Sequence, residues 1–74
     1  MEKGWVIAYT TNQAYQAEIF TEVLRDHGIR GQVINKMDST YRTFGEIEVY
    51  VQDSHILKAK LLAKEFEEGD ETSV

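Results

Sequence analysis

Glu46-Ile47-Glu48-Val49-Tyr50-Val51 alternates strictly, and successive side chains of a strand point to opposite faces. Ile47, Val49 and Val51 therefore share one face and Glu46, Glu48 and Tyr50 the other. A strand with one wholly apolar face needs a layer packed against it. The elements that supply that layer lie on either side of it in the sequence.

Upstream, Trp5-Val6-Ile7-Ala8-Tyr9-Thr10 is rich in β-branched and aromatic residues and reads as a first strand. Thr11-Asn12 follows, a pair suited to capping a helix through a side-chain oxygen. Over residues 13–27, Ala17, Phe20, Val23 or Leu24, and His27 recur at helical steps, with Tyr15 and Ile19 widening the stripe. Gly28 ends this helix as a left-handed cap. Residues 29–34 read as a short second strand interrupted by Gly31, and residues 35–44 as a loop. Downstream, Asp53 or Ser54 caps a second helix whose apolar residues are Ile56, Ala59, Leu62, Ala63 and Phe66, flanked by Leu57 and Leu61.

The order β-α-β-β-α gives an α+β fold, the ferredoxin-like split motif with its final strand missing. A right-handed crossover leaves a gap that the third strand fills, so the sheet order is 1-3-2, antiparallel throughout, with both helices on one face. Residues 1–68 form one domain and residues 69–74 a mobile acidic tail. Glu67 and Glu68 oppose the dipole at the end of the second helix and favour fraying there. The first strand lies at an edge, where a fourth strand would otherwise pair, and this invites a partner. If Val6 and Ala8 point toward the helices, the open face carries Trp5, Ile7, Tyr9 and Tyr50 together, an apolar patch of the kind that marks interaction surfaces.

The segments 6–13 (VIAYTTNQ), 27–36 (HGIRGQVINK) and 45–51 (GEIEVYV), with Asp38-Ser39-Thr40-Tyr41 between the last two, resemble a small bacterial family of unknown function described as putative prokaryotic signal-transducing proteins. The resemblance extends to about the end of the second helix. It implies a ferredoxin-like fold related to the nitrogen-regulatory PII signal proteins, and brings no catalytic residues and no ligand.

At 74 residues, 42% hydrophobic and 28% charged, the chain has the composition of one ordinary folded domain. It has no cysteine for disulfides or thiolate metal sites. A formal net charge of −5 opposes binding to nucleic acid or anionic lipid. Much of that charge sits in Glu65, Glu67, Glu68, Asp70 and Glu71. Met1-Glu2-Lys3-Gly4 runs directly into a short strand without a signal-peptide stretch, so a cytoplasmic location is expected.

The loop is longer than hairpin connections usually are, and such loops carry function more often than short ones. Asn35, Lys36, Asp38, Ser39, Tyr41 and Arg42 offer contacts to a small polar ligand or a partner backbone, although Asn35, Asp38 and Ser39 also suit turn hydrogen bonds. His27 and His55, the two histidines, suit helix termini better than metal ligation. Glu46 and Glu48 form a solvated pair, or bind a cation or a basic partner. Lys58, Lys60 and Lys64 serve solubility or meet an acidic one. No nucleophile, phosphate loop or acid/base pair stands out. The expectation is a non-enzymatic regulatory module, without cofactor or metal, that self-associates or docks a protein. The alternative is a metabolite sensor with its pocket at the 35–44 loop.

Overall fold

The computed structural model describes residues 4–36 and 47–72. Strand β1 (Trp5–Thr11) leads to helix α1 (Ala14–Asp26), strand β2 (Gln32–Asn35) and strand β3 (Ile47–Gln52). A 3₁₀ turn over Asp53–His55 then opens into helix α2 (Ile56–Thr72). The sheet order is β1-β3-β2 with both pairings antiparallel, so the α+β class and the topology expected from the sequence hold.

The alternation of β3 sets the core. Ile47, Val49 and Val51 have no exposed surface and pack with Ala17, Phe20 and Leu24 of α1 and Ala59, Leu62 and Ala63 of α2. Burying each of the larger side chains among these contributes about 1.5–3 kcal/mol. Both helices therefore lie on one face, giving a two-layer body only 15 Å through its thinnest dimension.

The first strand departs from simple alternation. Trp5, Val6 and Ile7 pair with Gln52, Val51 and Tyr50, but the next partners are Tyr9 with Val49, Thr10 with Glu48 and Thr11 with Ile47. Ala8 is the extra residue of a β-bulge, and beyond it the faces exchange parity. Val6, Ala8 and Tyr9 consequently all turn toward the helices. This corrects the placement of Tyr9 on the open face. Tyr9 is 7% exposed, and its ring centroid lies 4.9 Å from that of Phe20 and 5.7 Å from that of Phe66, which itself lies 5.6 Å from Phe20. This aromatic triad joins β1, α1 and α2. The Tyr9 hydroxyl donates to Gln16 Oε1 at 3.0 Å, so the polar tip of the buried ring keeps a hydrogen-bond partner that offsets its desolvation.

The Gly28 end of α1 is as expected, and the other helix ends differ in detail. Gln13 holds the N-cap position of α1 without a side-chain cap bond; the Thr11 hydroxyl accepts from the Gln13 N–H at 3.1 Å and shapes the turn before the helix. At the other end, Gly28 N–H donates to Arg25 O and Ile29 N–H to Leu24 O, both at 2.9 Å, with Gly28 at φ +74°. This is a Schellman cap, and the glycine is there for its backbone conformation. Gly31 is there for space: a Cβ at that position would stand 3.0 Å from Leu24 Cδ1 and 3.3 Å from Thr21 Cγ2. The 3₁₀ turn stands where Asp53 or Ser54 was expected to cap α2, and it takes in His55. Helix α2 continues past Gly69 to Thr72.

The helical stripes are narrower than the periodicity implied. Tyr15 and Ile19 on α1 and Leu57 and Leu61 on α2 are exposed, Leu57 by 86%. A helix resting on a flat three-stranded sheet covers only the side chains on its sheet-facing side, and these four lie beyond it.

Candidate functional site

The helix-free face of the sheet follows from the register. Trp5, Ile7 and Thr10 of β1 stand opposite Gln52, Tyr50 and Glu48 of β3, and Tyr50 and Glu48 face Gln32 and Ile34 of β2 across the other ladder. Trp5, Ile7 and Tyr50 therefore share this face, and Tyr9 does not. Ile7 is 40% exposed; Trp5 and Tyr50 are partly buried.

Beside this apolar group lies a polar one. Tyr50 Oη donates to Glu48 Oε1 at 2.9 Å, and Lys36 Nζ lies 3.1 Å from the same oxygen. The hydrogen bond to Glu48 is the first cause holding the Tyr50 phenol above its usual pKa, with desolvation and the Glu48 charge acting in the same sense and Lys36 against them. One carboxylate thus ties the end of β2 to the centre of β3. The shared face of Glu48 and Tyr50 was legible from alternation. The approach of Lys36 was not, because it depends on the β2 register.

Of the loop contacts expected from the sequence, Asn35 closes β2 opposite Ile47 and Lys36 makes the ion pair just described. Asp38, Ser39, Tyr41 and Arg42 lie outside the described residues, as does Glu46.

Two concave surfaces accompany the open face. One, of about 360 Å³, runs along the outer edge of β1, between residues 7–10 and Lys60, Ala63, Lys64 and Glu67 of α2. The sheet order makes this edge terminal. The other, of about 410 Å³, lies at the C-terminal end of α1 and is lined by Thr21, Arg25, Gly28, Ile29, Arg30 and Gly31. Arg25 and Arg30, five residues apart, line one cleft because the Gly28 cap turns the chain between them. The five-residue spacing of Arg25 and Arg30 around a predicted cap glycine was the available signal for this cleft, and sequence reasoning missed it.

His27 Nδ1 donates to Val23 O at 2.9 Å, which places it on the last turn of α1 as its position suggested. Among the described residues no group of three or more His, Cys, Asp or Glu is placed to hold a metal ion, and no helix is long and apolar enough to cross a membrane.

No curated protein and no solved structure matches the chain. A family model described as "Putative prokaryotic signal transducing protein" matches residues 5–67, from the first residue of β1 well into α2, and the chain belongs to that family.

Proposed function

We propose that this protein is a non-enzymatic regulatory module that acts by binding a protein, either a partner or a second copy, through β1 and the adjoining open face. The observation that carries this reading is the terminal position of β1. A strand at a sheet edge has a row of backbone donors and acceptors facing away from its neighbour, and such a row is a template for another chain. Trp5 and Ile7 add apolar surface next to that edge, and the signalling description of the family agrees with a binding role.

The test pairs two measurements on the wild type and on Ile7→Lys. Light scattering after size exclusion, across a concentration series, reads self-association; affinity capture from the source lysate reads heterologous binding. The reading expects an assembly that dissociates in the variant, or a captured protein that the variant loses. A strict monomer whose captured set is unchanged in Ile7→Lys would overturn it.

A second reading, a small-molecule sensor, has its own support in the cleft lined by Arg25 and Arg30, two cationic residues of a kind that suits an oxyanion. Inorganic phosphate or citrate should then raise the thermal midpoint by mass action, and Arg30→Ala should abolish the rise. Equal midpoints with and without the anions would remove this reading.

A further inference from the structure

We propose that the groove along the outer edge of β1 takes an extended acidic segment of a partner protein as an added strand, with carboxylates at alternate positions lying over Lys60 and Lys64. The proposal rests on the protein-binding reading and names the partner's chemistry.

The groove has two walls of different kinds. One is the backbone edge of residues 7–10, which offers outward donors and acceptors to an extended chain, the bulge at Ala8 limiting the added ladder to a short one. The other is the flank of α2, where Lys60 and Lys64 are exposed on either side of the small Ala63. One helical turn separates the two lysines by about 6 Å along the axis. Two residues of a strand advance about 6.6 Å. An acidic-x-acidic pattern therefore meets both ammoniums without leaving the strand register, whereas adjacent acidic residues would point to opposite faces.

Charge selects this occupant over a second copy. A second copy would present its own β1, residues 5–11, which carry no carboxylate to meet Lys60 and Lys64. Glu67 lines the far end of the groove. It sets a direction: the acidic pair lies toward Lys60 and a neutral or basic residue follows toward Glu67.

The test uses the full chain and two synthetic peptides, acetyl-Thr-Asp-Val-Asp-Val-Lys-amide and the same peptide with both aspartates replaced by lysine. Backbone amide shifts are followed during titration at low salt. The acidic peptide is expected to shift the amides of residues 7–10 and 60–67. Lys60→Glu/Lys64→Glu, its fold checked by circular dichroism, should weaken that binding at least tenfold and transfer preference to the lysine peptide. Equal binding of the two peptides, or acidic-peptide shifts confined to another surface, overturns the proposal. So does concentration-dependent broadening of residues 7–10 in the protein alone, which assigns the edge to a second copy. If neither peptide binds while Ile7→Lys still loses a captured partner, the acidic-strand proposal fails and the protein-binding reading stands.

Discussion

On one face of β3, Ile47, Val49 and Val51 are wholly buried under two helices; on the other, Glu48 and Tyr50 are held by a hydrogen bond and an ion pair to Lys36. Beside them β1 divides the same way, but its bulge moves Tyr9 to the buried face while Ile7 stays on the open one. Hydrophobicity alone would have ordered this pair the other way. What decides is register: Tyr9 meets Phe20 and Phe66 and finds Gln16 for its hydroxyl, whereas Ile7 faces solvent opposite Tyr50.

The largest effects should come from attacking the buried side of that comparison. Phe20→Ala removes the ring shared by Tyr9 and Phe66, and truncations of this kind cost about 3–5 kcal/mol. Tyr9→Lys should cost at least as much, because it also forces an ammonium into an apolar site. Domains of this size hold a few to about ten kcal/mol in total, so Tyr9→Lys is expected to be unfolded by circular dichroism without denaturant. A cooperative urea transition near the wild-type midpoint would mean that the bulge does not turn Tyr9 inward.

Intermediate effects should come from the glycines that let α1 sit on the buried face. Gly31→Ala drives a methyl against Leu24, which is fully buried and has little room to retreat, and overpacking of this kind costs about 1–3 kcal/mol. Gly28→Ala meets no atom within 4 Å but must hold φ near +74°, a strain of about 1–2 kcal/mol. Urea midpoints at constant slope would measure both. A larger loss at Gly28 than at Gly31 would show that the cap, and not the close approach of α1, limits stability.

How far the sequence alone discloses this arrangement depends on the strand. Glu48, Val49 and Tyr50 alternate so plainly that β3, its central position and its buried face follow from the residue pattern. Residues 5–10 carry apolar side chains at nearly every position, so periodicity cannot say where parity changes, and a bulge depends on pairing with a strand about forty residues away. The α2 stripe was legible through Ala59, Leu62 and Phe66, but Leu57 and Leu61 fit the same period and differ only in lying beyond the reach of the sheet. The groove beside β1 was visible only as two lysines one turn apart, since their position relative to the strand edge is tertiary.

A smaller effect tests the polar group of the open face. Because the neutral Tyr50 phenol is favoured by its bond to Glu48, its folded pKa lies above the unfolded value. The stabilisation is therefore fully present below an unfolded tyrosine pKa of about 10 and is lost as pH rises through the folded one. Glu48→Gln should lower the Tyr50 midpoint in ultraviolet titration, read as the difference from the matching Tyr50→Phe protein. An unchanged midpoint would mean that the hydrogen bond does not persist in solution. The Lys36 ion pair adds little at neutral pH, because Lys36 is half exposed and exposed pairs contribute about 0–1 kcal/mol.

The smallest effect is expected at Ile7, and it completes the comparison with Tyr9. Ile7 is 40% exposed, and a lysine there can lay its methylenes along Tyr50 and carry its ammonium into water. The substitution should change stability by no more than about 0.5 kcal/mol, the usual range for a surface position without a special contact. Paired urea curves for Ile7→Lys and Tyr9→Lys thus give the same chemical change two positions apart on one strand, with one protein folded and the other not. If Ile7→Lys loses 2 kcal/mol or more, Ile7 is covered in the folded monomer, and a binding defect in that variant then reports misfolding instead of a lost interface.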